Sequence, residues 1–226
     1  MASPSKSYTH RAMVLGALTH GSFVLHRPLM SEDTKATLDA LHMMGSSVGG
    51  SSSAVRIHCD ELAPAAATID ARNSGTTMRL MTGIASLLPS KTTLTGDESL
   101  VKRPMAPLVD SLKRLGAEVS YLGRQGMPPL KVAGPIKGPV TEIAGGVSSQ
   151  FISSILIACT QKEDDTVVRI GGEMVSRPYV DITLDVLRAF GGDAQESKDG
   201  FSVKGGQRLH RDEYTVPGDY SSAAFA

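Results

Sequence analysis

VDSLKRLG, residues 109–116, decides the fold, because it is one of three. LDALHMMG stands at 38–45 and LDVLRAFG at 184–191, and all fit [LV]-D-x-L-x-x-x-G. An apolar residue followed three positions later by Leu marks one face of a helix. The closing Gly is the residue that ends a helix in the left-handed conformation at least steric cost. Gly45, Gly116 and Gly191 recur at near-equal intervals, which spells an internal repeat rather than three unrelated helices.

The flanks repeat as well. Upstream of each octapeptide lies a strand-like run, SFVLHR (22–27), KTTLTG (91–96) and DTVVRI (165–170). Upstream again lies an almost wholly apolar helical stretch, AMVLGALTHG (12–21), LMTGIASLL (80–88) and FISSILIACT (151–160). After the closing glycines the pattern turns to alternation, as in AEVSYLG then LKVAG, and DAQES then FSVKG. Each unit reads helix, strand, helix, strand, strand. A helix apolar all round must be buried, so three such units predict an α/β (α+β) domain with apolar helices inside and sheets around them. The stretch YTVPGDYSSAAFA (214–226) breaks the repeat. It reads as a strand, a turn and a helix starting at Asp219 or Ser221, and its stop inside a small-residue helix predicts a truncated chain.

Composition excludes several classes. The 226 residues carry a formal net charge of +0, aromatics make up 4% and Trp is absent. That argues against a nucleic-acid or membrane-surface protein. No run approaches the roughly 20 apolar residues of a membrane span. Cys59 and Cys159 are too few for a disulfide framework or a zinc site, so both read as buried thiols, and His58 beside Cys59 lacks further ligands.

The polar chemistry collects where helices begin. PSKSYTHRA (4–12) sets Lys6 and His10, and Ser7 and Arg11, four residues apart at a helix start. Cations are electrostatically unfavourable beside the positive end of a helix, so the cluster points to an anion bound by free backbone N–H groups and side-chain charge together. DARNSGTTMRL (70–80) and GGVSSQFISS (145–154) place Asn73, Ser74, Gly75, Thr76 and Ser148, Ser149, Gln150 at two further helix starts. Each on its own reads first as a well-capped helix and second as a ligand turn. SLVKRPM (99–105) and MVSRPYVD (174–181) put Arg103 and Arg177 before Pro, which suits a first helical turn, and Arg there is able to pair bidentately with a carboxylate. In a threefold arrangement these starts converge on one end, predicting a site for a small, polyhydroxylated, multiply anionic ligand.

PSKSYTHRA, NSGTTMR (73–79), GDESLVKRPM (96–105), GGVSSQF (145–151), VSRPYVDITL (175–184) and GDYSSAA (218–224) together resemble the 3-phosphoshikimate 1-carboxyvinyltransferases, the EPSP synthases, over essentially the whole chain. The resemblance implies a fold of three β-α-β-α-β-β units per domain, in one of two domains. It places the amino-terminal domain at 5–215, with repeats at about 5–65, 70–138 and 140–206, and the truncated start of the second domain at 216–226. It implies transfer of the enolpyruvyl group of phosphoenolpyruvate to the 5-hydroxyl of shikimate 3-phosphate, by addition and elimination of phosphate, on the way to chorismate, with no metal or organic cofactor. It assigns shikimate 3-phosphate to Lys6, Ser7, Arg11, Ser148, Ser149, Gln150, Ser176 and Tyr179. It assigns phosphoenolpyruvate to Lys6, Asn73, Gly75, Thr76, Arg103 and Gln150, and proton handling to Lys6. The family's other acid–base groups belong to the second domain, so the expectation is a cytoplasmic monomer when whole and an inactive half when alone. One departure is Leu80, where many relatives carry Pro. The UDP-N-acetylglucosamine enolpyruvyl transferases share the fold but typically have Lys-Asn at the opening motif and a Cys-bearing loop where this chain has SLVKRPM; a binding-only half-domain is the other alternative.

Overall fold

The computed structural model describes residues 2–63 and 68–219. The first unit runs α1 (Lys6–Ala17), β1 (Gly21–His26), α2 (Glu32–Met43), β2 (Ser47–Gly50) and β3 (Ala54–Cys59). The second runs β4 (Thr68–Asp70), α3 (Gly75–Ala85), β5 (Thr92–Thr95), a 3-10 turn at Leu100–Lys102, α4 (Ala106–Arg114), β6 (Glu118–Tyr121) and β7 (Leu130–Ala133). The third runs β8 (Val140–Ala144), α5 (Ser149–Thr160), β9 (Thr166–Gly171), α6 (Arg177–Ala189), β10 (Ala194–Ser197) and β11 (Gly200–Val203), and β12 (Glu213–Thr215) follows.

Three four-stranded sheets result, in the orders β12-β1-β3-β2, β4-β5-β7-β6 and β8-β9-β11-β10. In each, the first pair is parallel and the others antiparallel. Periodicity alone missed the leading strands β4 and β8. TID is too short to show alternation, and VTEIA lies directly against the third helix start. The stretch that broke the repeat completes it: β12 occupies in the first sheet the place of β4 and β8 in the others, with Val24 opposite Glu213 and His26 opposite Thr215. Phe23 and Phe190 (ring centroids 5.2 Å apart) and Phe190 and Tyr214 (5.8 Å) tie this returning strand to the core, a geometry in the favoured range for aromatic pairs. The helix expected to start at Asp219 or Ser221 lies, beyond Asp219 itself, outside the described residues.

The apolar helices are inside, as their sequences require. α5 is buried from Phe151 to Thr160 and α1 from Thr9 to Ala17. The outer helices bury one face each, Leu38 and Leu41 in α2, Leu108 and Leu112 in α4, Val180 and Leu187 in α6. Gly45, Gly116 and Gly191 end them with φ of +97, +102 and +77°, the left-handed stop that the octapeptides predicted. α3 and α5 cross so closely at Gly83 that a Cβ there would overlap the Ser154 hydroxyl and lie 2.8 Å from its carbonyl oxygen. Leu80, the residue that departs from the family pattern, is buried in this core.

Candidate functional site

Hydrogen bonds link the starts of α1, α2, α3, α5 and α6 into a closed ring at one end of the domain, and the start of α4 joins it through α3. Lys6 Nζ at the start of α1 meets Asp33 Oδ2 at the start of α2 at 2.9 Å. Thr77 Oγ1 of α3 donates to the Asp33 carbonyl at 3.2 Å. Arg103 Nη2, ahead of α4, donates to Asn73 Oδ1 at 2.7 Å. Gln150, on the first turn of α5, donates from Nε2 to Thr76 Oγ1 at 3.1 Å and accepts from Arg79 Nη1 at 2.5 Å. Val175 N, before α6, donates to the Gly145 carbonyl before α5, and Arg11 Nη2 closes the ring on the Tyr179 carbonyl at 3.1 Å. Backbone N–H groups at helix starts and several cations therefore share one face, the arrangement that favours bound anions.

The cationic centre lies at Gly75. A Cβ there would sit 2.8 Å from Arg79 Nη1 and 3.0 Å from Arg103 Nη1, so the missing side chain lets both guanidiniums approach the first turn of α3. Among the described residues neither has a carboxylate partner: Arg103 bonds the amide of Asn73, whose Nδ2 donates to Asp97 Oδ2 at 2.6 Å. Asp97 is held below the usual carboxylate range, first by the Leu100 N–H and then by Asn73, with smaller pulls from the Ser99 N–H and the charge of Arg103. Arg79 stacks on Phe151 at 5.3 Å, and burial followed by the like charge of Arg103 lowers its pKa. Two neighbouring cations hydrogen-bonded to neutral groups, with Asp97 reaching Arg103 only through Asn73 and at longer range, make a receptor for a carboxylate or phosphate. The sequence reading passed over Arg79. The signal was available, since the i, i+4 spacing from Gly75 places it over the helix start.

Arg11 is nearly fully buried, at 2% exposure, and the protein itself meets most of its donors. Nε donates to Thr183 Oγ1 (2.7 Å), Nη1 to the Ser7 carbonyl (2.9 Å) and Nη2 to Ser153 Oγ (2.9 Å) as well as Tyr179 O. Burial lowers its pKa to about 10, so it stays charged at neutral pH. Ser7, Tyr8 and Tyr179 line a hollow of about 350 Å³ that reaches Gly218 and Asp219, and Lys6 lines a neighbouring one with Ser31 and Asp33. Ser148 caps α5 through the Gln150 N–H, while Ser149 is buried behind it. Ser176 is exposed in a left-handed conformation and makes no capping bond.

Two readings of the helix starts need correction. His10 does not join Lys6 on an anion-binding face. It points inward at 1% exposure, and burial above all, with smaller pushes from Arg11 and Lys6 and an opposing pull from Asp33, drops its pKa to about 3. Arg177 does form a bidentate carboxylate pair, but within the chain, with Glu196 at 2.8 and 2.7 Å, and it also bonds Asp181 at 2.7 Å.

The EPSP synthase (3-phosphoshikimate 1-carboxyvinyltransferase) family model matches residues 1–226. This chain belongs to that family. It is 45% identical over 229 residues to the 3-phosphoshikimate 1-carboxyvinyltransferase of Methanosarcina mazei, covering 99% of this chain and 53% of that protein. It is 46% identical over 226 residues to that of Methanothermobacter thermautotrophicus, with the same coverage. The solved EPSP synthase of Acinetobacter baumannii superposes with a TM-score of 0.87 at 35% identity, over 100% of this chain and 51% of that one, which gives the family's enolpyruvyl-transferase fold. The chain thus spans about half the length of the relatives it matches. Among the described residues no helix is long and apolar enough to cross a membrane.

Proposed function

We propose that this chain is the half of a 3-phosphoshikimate 1-carboxyvinyltransferase that holds shikimate 3-phosphate and one end of phosphoenolpyruvate, and that a second domain completes the site. The observation that carries this reading is the pairing of Arg79 and Arg103 beside Gly75 with no direct carboxylate ion pair among the described residues, next to the ring of helix starts that carries Lys6 and Gln150. In this reading Gly75, Thr76, Asn73, Arg79, Arg103 and Gln150 take the phosphoenolpyruvate anion. Ser7, Ser148, Ser149, Gln150, Ser176 and Tyr179 take the phosphate and hydroxyls of shikimate 3-phosphate. Arg11, buried beneath Ser7 and Tyr179, shapes that half-site and keeps one Nη1 proton for it.

The chemistry is addition followed by elimination. A proton adds to the methylene of phosphoenolpyruvate, the 5-hydroxyl of shikimate 3-phosphate attacks the adjacent cationic carbon, and a tetrahedral ketal forms. Loss of a methyl proton and of phosphate then leaves the enol ether. Lys6, half exposed and steered by Asp33, is the proton-handling group of this half. Its other contributions are orientation and stabilisation of developing charge. The whole enzyme, on this reading, is a cytoplasmic monomer, and the isolated chain binds but does not turn over.

Calorimetric titration tests the proposal. Shikimate 3-phosphate is expected to bind saturably to this chain while UDP-N-acetylglucosamine does not, and adding the separately produced second half of a close relative is expected to give turnover. Binding of the nucleotide sugar instead, or turnover with it, would transfer the site to the sister enolpyruvyl transferases.

A further inference from the structure

His10 carries a relay that nothing in the reading above uses. Its Nδ1 lies 2.7 Å from Thr37 Oγ1 of α2, Thr37 Oγ1 lies 2.7 Å from Thr77 Oγ1 of α3, and Thr77 Oγ1 lies 2.7 Å from Ser74 Oγ. Ser74 is the cap of α3, accepting from the Thr77 N–H at 3.2 Å. All four residues are at most 1% exposed. The chain therefore runs from α1 through α2 to the start of α3, which carries Gly75 and Arg79 and which Arg103 approaches from ahead of α4.

The direction of the relay follows from its far end. The Asp33 carbonyl only accepts, and Thr77 donates to it or to Ser74. Thr77 then has no proton left for Thr37, so Thr37 must donate to Thr77 and in turn accept from His10 Nδ1–H. This places the imidazole proton on Nδ1 and leaves Nε2, which has no partner among the described residues, as a bare lone pair. An orphaned acceptor is the less costly outcome, since an orphaned buried N–H is the rarer defect. Three hydroxyls in series have no intrinsic polarity because each rotates freely. A ring N–H at one end, and at Thr77 a single proton that serves either the Asp33 carbonyl or Ser74 Oγ, give them one.

We propose that His10 is a positioning residue: through Thr37 and Thr77 it fixes the Ser74 cap, and with it the first turn of α3, in register with the first turn of α1. Lys6 and the Arg79–Arg103 pair depend on that register if both act on one substrate pair, a clause that rests on the function proposed above.

The variants that test this separate the two ring nitrogens. His10→Asn places an amide donor near Nδ1, His10→Gln places one near Nε2, and His10→Leu supplies volume alone. Loss of one such buried bond corresponds to about tenfold in an equilibrium constant. Leu and Gln are therefore expected to weaken phosphoenolpyruvate binding about that much in calorimetry, to leave shikimate 3-phosphate binding little changed, and to speed amide hydrogen exchange at Thr77. Asn is expected to restore all three. Long-range proton–nitrogen spectra of the wild-type chain are expected to show Nδ1 protonated. Equal behaviour of Leu and Asn, or equal weakening of both ligands in step with a lower melting midpoint, would reduce His10 to a core residue. Should the wild type bind neither ligand, the proposed function fails. The Thr77 exchange rates and the tautomer still decide His10: unchanged exchange in His10→Leu, or protonation on Nε2, overturns the relay.

Discussion

Replacing Gly83 by Ala tests how the inner helices hold the site together. The added Cβ would overlap Ser154 Oγ and approach the Ser154 carbonyl to 2.8 Å. The hydroxyl is able to rotate away, at the loss of its bond to the Arg79 carbonyl, but the carbonyl is backbone, so α3 and α5 must part. Overpacking of this kind costs ~1–3 kcal/mol, and the lost hydrogen bond adds ~1 kcal/mol. Ala in place of Gly inside a helix returns ~1 kcal/mol. The net is a destabilisation of about 2 kcal/mol, or roughly 4–8 °C in melting midpoint for a chain of this length. Urea and thermal unfolding followed by circular dichroism measure it. Because α3 carries Arg79 and α5 carries Gln150, parting the helices also strains the bond between them, so phosphoenolpyruvate binding is expected to weaken beyond what stability explains. A Gly83→Ala chain as stable as the parent would refute the close crossing and the packing argument built on it.

Acid should weaken the fold through His10. With a folded pKa of about 3 against an ordinary 6.5, the unfolded chain binds the extra proton between those values, so stability is fully present above the unfolded pKa and falls as pH drops below it. Going from about pH 7 to about pH 5 should remove about 2 kcal/mol, and urea titrations of His10→Asn should lack that part of the slope. Arg11→Lys keeps the charge but loses the planar fork that reaches Thr183, Ser153, Ser7 and Tyr179. A loss of ~1–3 kcal/mol is expected by urea unfolding, with weaker shikimate 3-phosphate binding. Glu196→Gln, by contrast, breaks a solvent-exposed pair with Arg177 and should leave the melting midpoint nearly unchanged.

Much of the fold was legible because burial leaves a periodic trace. A helix that must bury every face, as α5 does, is apolar over most of its length, and a helix end that needs positive φ at Gly116 shows as Gly. The strands β4 and β8 were not legible, since three to five residues beside a helix start carry too little alternation. Of the candidate site, the clustering of polar helix starts could be read, but not which of their side chains turn inward. His10 and Arg11 are adjacent cations in the sequence, yet one lies neutral against Thr37 and the other is bound to Thr183 across the domain.

The sequence by itself determined the three repeats, the buried helices, the polar helix starts and the family, because each is written in local pattern or in motifs that survive without coordinates. Only the tertiary structure decided that β12 closes the first sheet, that five of the helix starts form one ring with the α4 start joined to it, that Arg79 joins Arg103 at Gly75, and that His10 belongs to a hydroxyl relay. These depend on contacts between residues tens to hundreds of positions apart, and no local periodicity encodes which distant partner a buried polar group will meet.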